Sequence, residues 1–148
     1  MNALSVAAVA TGVGAAAVGG VYAAFSAMVV PALRRLEPAA ATAAMQEINV
    51  RAERGPFIVL FVGSALAAVA LGALALRPGS DDPVEVRHVV AAGLVLGSVA
   101  ITVVGNVPLN DRLAAQGASY WVEYVGTWTH LNTVRALLAL GAVGVLVR

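Results

Sequence analysis

The sequence predicts an all-α integral membrane protein. It should form a single four-helix bundle, with an extra amphipathic helix on the interface between spans 1 and 2. Three observations predict this. Of the 148 residues, 60% are hydrophobic and 11% charged, with a mean hydropathy of +0.87; soluble domains run nearer 45–50% apolar and about 25% charged. The apolar residues gather into four blocks. Between the first two lies a Pro-bounded segment with one apolar and one charged face. These proportions exclude a soluble enzyme and a disordered chain. A net charge of +1 leaves no counterion-release footprint, so nucleic acid is excluded as a partner. Cysteine is absent, which removes disulfides, thiolate metal sites and thiol nucleophiles.

The first span is read at residues 3–30, which carry no formal charge. At 1.5 Å per residue they reach roughly 42 Å, more than the ~30 Å hydrocarbon core. No Lys or Arg precedes the run, and it is about twice the length of a signal-peptide apolar region, so it reads as a span. Residues 38–54 read as the interfacial helix. Pro38 suits its first position and Gly55-Pro56 its stop. Ala41, Ala44, Met45, Ile48 and Ala52 share one face, with Glu47, Arg51 and Arg54 opposite. Spans 2 and 3 are read at 56–76 and 86–107, joined by a polar turn, Arg77-Pro-Gly-Ser-Asp-Asp-Pro83.

The fourth block is informative because it is too short. Ala136 to Val147 covers only about 18 Å. The helix must begin earlier, and the span is read at 121–147. Arg135 then lies about 20 Å in from the Arg148 end, inside the hydrocarbon. An ionisable residue at that depth is a functional-site hypothesis by default. The alternative is that it snorkels to the interface or ties helices together.

Four spans put both termini on one side. Arg34, Arg35, Arg51, Arg54, Arg112 and Arg135 belong to the long connections; Arg77, Arg87 and Arg148 belong to the termini side. The positive-inside rule then places the long connections in the cytoplasm and the termini outside, with a bacterial inner membrane as the bilayer.

Gly12, Ala16, Gly20 and Ala24 recur at every fourth position, as do Ser64, Ala68 and Gly72, and Gly93 and Gly97. Small residues at this spacing let helices approach closely in lipid. Packing within one chain is expected, with homo-oligomer formation through one such face as the alternative. Val30-Pro-Ala-Leu-Arg-Arg-Leu36 and Val107-Pro-Leu-Asn-Asp-Arg-Leu113 suggest a duplicated two-span hairpin, offset by about 77 residues.

Polar residues converge near the long-connection leaflet. On one helix, Trp121, Tyr124, Trp128, Asn132 and Arg135 fall within a single stripe. Thr102, Asn106 and Asn110 form a second row, into which Pro108 breaks, freeing the carbonyl of Val104. Tyr22 and Ser26 form a third pair. Such a place suits a ligand site; an aromatic belt with interhelical hydrogen bonds is the alternative. No metal site is expected. His88 and His130 fall on opposite sides of the membrane, and Glu85-Val-Arg-His88 is one Glu-x-x-His motif where a di-iron bundle needs two.

Asn106-Val-Pro-Leu-Asn-Asp111 followed by Trp128-Thr-His-Leu-Asn-Thr-Val-Arg135 resembles the anthrone oxygenase family, a group of small four-span membrane proteins. Ala24-Phe-Ser-Ala-Met-Val-Val-Pro-Ala-Leu33 and Ala44-Met-Gln-Glu-Ile-Asn49 look like its first-half motifs. The resemblance covers essentially the whole chain. It implies oxidation of an anthrone-type polyketide to a quinone with O₂, without an established cofactor. No cofactor is therefore expected. The implied partners are the lipid bilayer, a hydrophobic aromatic small molecule and O₂.

By resemblance Asn106, Asn110, Asn132 and Arg135 would line the site. The catalytic candidates are Asn132, Arg135, His130 and Asn106. The substrate-binding candidates are Trp128, Tyr124, Trp121, Asn110, Tyr22, Ser26 and Asn49. Arg135 and Asn132 would stabilise an oxyanion, and the rings would stack on the substrate. Many relatives carry His directly after the second-half Asn; here that position is Thr133. His130 or Tyr22 is left as the base, although His130 lies well off the polar stripe. The alternative function is a non-enzymatic membrane scaffold or partner subunit.

Overall fold

The computed structural model describes residues 1–77 and 86–148. Among these, every regular element is helical. Three helical stretches are long and apolar enough to cross a membrane: Ala3–Leu33, Pro56–Ala75 and Val86–Leu146. The last is a hairpin. We name the helices α1 (Ala3–Leu33), α2 (Pro38–Arg54), α3 (Pro56–Ala75), α4 (residues 86–116) and α5 (Trp121–Leu146). The polar turn read at 77–83, apart from Arg77, and Glu85 of the Glu-x-x-His pair lie outside the described residues.

α2 has the bounds expected of it, because Pro38 opens it and Gly55 caps it before Pro56 starts α3. α4 differs from expectation. The sequence reading ends span 3 at residue 107, ahead of Pro108, yet the helix continues to Gln116. Proline has no N–H, so a regular turn cannot close around it. The backbone widens instead: Thr102–Asn106 is a π turn, in which the Val107 N–H reaches the Thr102 carbonyl. α1 does the same before Pro31. Phe25–Val29 is a π turn, and the Val30 N–H reaches the Phe25 carbonyl. The chain reverses at Gly117, whose φ of 67° suits only glycine. A 3₁₀ turn, Gly117–Tyr120, then leads into α5.

α1 packs on α3 and α5, and α4 packs on α3 and α5, so the long helices close a ring. The faces used on α1 differ from those expected. Thr11, Ala15, Val18, Gly19 and Tyr22 are buried, whereas Ala16 and Gly20 of the anticipated stripe are exposed. Small residues occur all round α1, so spacing alone does not pick the face. Thr11 and Tyr22 do, because hydroxyls turn inward when the outside is hydrocarbon. On α3 the expected Ser64 and Ala68 are buried. Large apolar side chains point outward instead, among them Val13 at 66%, Leu66 at 65% and Leu137 at 67% exposure.

The interior is zoned along its length. Toward the termini the core is built of small residues, Ala7, Ala15, Ala68, Ala91, Ala92 and Ala142, with Leu71 and Val95. Toward α2 it is aromatic: Tyr120, Trp121, Tyr124 and Trp128 pack with Val30, Leu33, Ala41, Met45 and Leu113. α2 lays Ala41, Thr42 and Met45 onto this end. Gln46 fixes its position by donating from Nε2 to the Leu113 carbonyl at 2.9 Å. Between the two zones lies a polar layer.

Candidate functional site

Arg135 is the centre of the polar layer. It is 6% exposed and sits about 20 Å along α5 from Arg148. Burying a cation is costly unless partners replace its water. Its only replacements here are neutral. Nε and Nη2 donate to Oδ1 of Asn132 at 3.1 and 2.8 Å, and Nη1 donates to Oγ1 of Thr102 at 3.0 Å. The guanidinium carbon stands 3.9 Å from the centre of the Tyr22 ring and 5.4 Å from that of Trp128, within cation–π range. No carboxylate pairs with it among the described residues. A guanidinium carries five N–H donors, so one on Nη1 and one on Nη2 remain for something else.

The groups that hold Arg135 are themselves held. Asn132, fully buried, donates from Nδ2 to the Tyr22 carbonyl at 2.7 Å and to Ser26 Oγ at 2.8 Å. Ser26 Oγ also meets Thr133 Oγ1 at 2.9 Å. Thr102 donates to the Ser98 carbonyl at 3.0 Å, which leaves its oxygen free to accept from Arg135 and to meet Tyr22 Oη at 3.4 Å. Ser98 Oγ donates to the Arg135 carbonyl at 2.9 Å. Both π turns border this network, supplying Ser26 from one side and Thr102 from the other.

Beside Arg135 lies a cavity of about 390 Å³, within the size range of small-molecule sites. α1 contributes Val21, Tyr22 and Phe25 to its wall; α3 contributes Phe57, Ile58 and Phe61; α4 contributes Thr102, Val103, Val107 and Asn110. α5 contributes Trp128 and Arg135, and α2 closes one side with Ile48, Asn49, Arg51, Ala52 and Glu53. The lining is mostly apolar and aromatic. Its polar groups are few and spaced apart. Asn110 anchors the aromatic side: its Oδ1 accepts from Tyr124 Oη and from Trp128 Nε1, both at 2.9 Å.

The structure brings Tyr22, Asn49, Asn110, Trp128 and Arg135 together on the cavity wall. It distributes the other candidates differently. Asn132 and Ser26 lie behind Arg135 and orient it. Asn106 is buried between α4 and α5, donating from Nδ2 to the Trp128 carbonyl at 3.2 Å, and does not line the cavity. Tyr124 and Trp121 belong to the aromatic core under α2. Their rings follow Trp128 in a ladder with centroid spacings of 6.2 and 5.8 Å. They pack, tilted, on one another and do not line the cavity. The reason is length: the stripe from Trp121 to Arg135 runs roughly 21 Å, longer than one ring site needs. His130 is exposed on α5 and does not line the cavity.

The sequence reading does not pick out Phe25, Phe57, Phe61 or Glu53, all on the cavity wall. Glu53 is the carboxylate on the cavity wall. It lies at the exposed end of α2, one helical turn after Asn49. That i, i+4 relation is the signal by which it could have been found, since both share a face. Gly55 and Pro56 then turn the chain so that this face looks over the bundle.

No curated protein and no solved structure matches the chain. The family model described as Anthrone oxygenase matches residues 53–145. The match is narrower than the resemblance drawn from motifs, since it leaves out Tyr22, Ser26 and Asn49. It does take in Glu53, the cavity-lining residues of α3, and the Asn110, Trp128 and Arg135 around which the cavity is built. The chain belongs to the anthrone oxygenase family.

Proposed function

We propose that the protein is a membrane oxygenase that converts a flat, apolar, anthrone-type aromatic ketone to a quinone with O₂. The fold context of this reading is a four-span bundle in a bacterial inner membrane. The connection carrying α2 faces the cytoplasm, and α2 rests on that interface. The observation that carries the proposal is Arg135. A buried cation with no carboxylate partner among the described residues and two N–H donors to spare, on the wall of an apolar cavity, is arranged for an oxygen that becomes negative.

The chemistry follows from that polarity. An anthrone loses a proton from its benzylic carbon, and the electron pair moves to the ketone oxygen. Arg135 stabilises that oxyanion, with Asn132 and Thr102 holding the guanidinium in place. Glu53 takes the proton, in the role for which His130 and Tyr22 were the sequence candidates. The enolate passes one electron to O₂. Radical and superoxide combine at the same carbon to give a peroxide, which takes up a proton. Loss of the second benzylic hydrogen, with cleavage of the O–O bond, forms the new carbonyl and releases water. One O₂ is consumed and one water formed per quinone. Trp128 and Phe25, with ring centroids 5.9 Å apart, form an aromatic wall against which a flat ring system can lie.

The experiment is direct. Purified protein in detergent is given an anthrone in air, and quinone absorbance and O₂ uptake are followed together. Equal rates of both, above the rate without protein, support the reading. A rate equal to the protein-free control rejects it. Metal analysis of the same sample tests the expectation that no cofactor takes part.

A further inference from the structure

We infer that the cavity fills sideways from the lipid, through an opening between α3 and the second half of α4, while its α2 side is the mouth for water and protons. This deepens the proposed function by naming the substrate class: an uncharged, lipid-dissolved polycyclic ring that becomes an anion only after it has bound.

The packing of α3 shows the opening. α3 packs against the first half of α4, Val86–Ile101, and among the described residues it makes no comparable packing with residues 102–116. Yet both segments are walls of the same cavity, through Phe57 and Phe61 on one side and Val103 and Val107 on the other. The helices part there, and the cavity occupies the space between them. The π turn at Thr102–Asn106 marks the point on α4 where this separation begins.

The rim of the gap identifies what lies outside it. Val103, on the cavity wall, is 54% exposed, and Val104 beside it is 76% exposed. Large apolar side chains exposed to this degree on the flank of a long apolar helix face hydrocarbon, because there they need no partner. The opposite rim is different in kind. Arg51 and Glu53, both exposed, border the cavity from α2, and Arg51 pairs with Glu47 at 2.7 Å. A neutral ring crosses the valine rim at no desolvation cost, and a proton leaves past Glu53. Neither has to cross the other's path.

The chain has no cysteine, so a single introduced thiol reports access. Phe57→Cys places it on the cavity wall, beside Tyr22, whose ring lies 6.0 Å from that of Phe57. Full-length protein in lipid nanodiscs is treated with a bilayer-soluble aromatic maleimide (pyrenylmaleimide) or with a charged, water-confined methanethiosulfonate. Ile58→Cys serves as a second position in case the first variant does not fold, judged by its helical circular dichroism.

We expect the bilayer-borne reagent to label at least ten times faster, after correction for each reagent's rate with a free thiol. Adding Val103→Trp should slow it about tenfold. Equal or faster labelling by the charged reagent overturns the inference. So does labelling unaffected by Val103→Trp, or no labelling by either reagent. Failure of the oxygenase reading would look different: normal labelling in a protein that makes no quinone.

Discussion

Arg135→Met separates catalysis from folding more sharply than any other change. Methionine keeps an unbranched chain of similar reach and removes the charge. On the stability side two effects oppose each other. The wild-type pays to bury a cation that meets only neutral groups, Asn132, Thr102 and two aromatic faces, and that cost disappears. Even for buried ion pairs, whose charges are compensated, replacement by apolar residues of similar volume is often neutral or stabilising by about 1–4 kcal/mol. Against this, Asn132 Oδ1 loses both its donors, and a buried acceptor without a partner costs about 1–3 kcal/mol. The net change in stability therefore lies within about 3 kcal/mol of zero in either direction.

On the catalytic side nothing offsets the loss. Removing a single donor from an oxyanion site costs about 10²–10³ in kcat, or about 2.7–4 kcal/mol. Here two N–H groups and a full charge go at once, so quinone formation should fall at least about 10³-fold. Arg135→Lys, which keeps the charge but not the fork, should fall between the two. The assay is quinone formation under saturating substrate, with thermal unfolding in the same detergent. Wild-type turnover in Arg135→Met would refute the oxyanion role. Loss of turnover only in proportion to loss of folded protein would refute it as well.

Other substitutions test the neighbouring roles. Glu53→Gln preserves size and hydrogen bonding but cannot take a proton, so kcat should drop about 10²–10⁴-fold with KM little changed; steady-state kinetics in nanodiscs will show it. His130→Ala should leave turnover unaltered and stability within about 0.5 kcal/mol, as expected for an exposed position, in the same two assays. Asn110→Leu removes the acceptor shared by Tyr124 Oη and Trp128 Nε1. It should destabilise the protein by roughly 2–4 kcal/mol, read as a lower unfolding temperature, and broaden the Trp128 fluorescence band.

Much of this arrangement can be read from the chain. The depth of Arg135 follows from counting back along a span that is too short, and the bounds of α2 follow from Pro38 and Gly55-Pro56. Other features resist reading for physical reasons. Pro108 reads as a stop, because the sequence does not reveal that a π turn will absorb it. Trp121 and Tyr124 share an angular stripe with Trp128, but angle carries no information about height. They fall under α2 while Trp128 reaches the cavity. The small-residue stripe of α1 is offset by one position from the face that packs, because alanine and glycine surround the whole helix. Glu53 shares its face with Asn49, but nothing in the spacing of α2 tells that this face will meet a cavity. Only the fold of α2 over the bundle turns it toward the cavity.

The two π turns explain how such a hydrophobic chain accommodates a charge so deep. Both precede a Val-Pro pair, and they lie 77 residues apart, since 102 − 25 = 77. This is the offset at which the sequence motifs repeat. Just before the first π turn, the Tyr22 carbonyl accepts from the Phe25 N–H of its own helix and also from Asn132 of another. At the second, Thr102 leans back to the Ser98 carbonyl and presents its oxygen to Arg135. The second turn also brings α4 against α5 so closely that a side chain at Gly105 would meet Leu131 at 2.9 Å. The two prolines thus act at a distance from the charge itself. Each widens a helix where the polar layer needs backbone or hydroxyl oxygen, and together they let neutral groups surround Arg135 without supplying a carboxylate. Under the proposed chemistry, a carboxylate paired with Arg135 would cancel the field that an incoming oxyanion meets; Glu53 lines the same cavity, but among the described residues no ion pair joins it to Arg135. Neutral support leaves that field intact, which is why a pair of helix irregularities, and not an ion pair, is the device that suits this site.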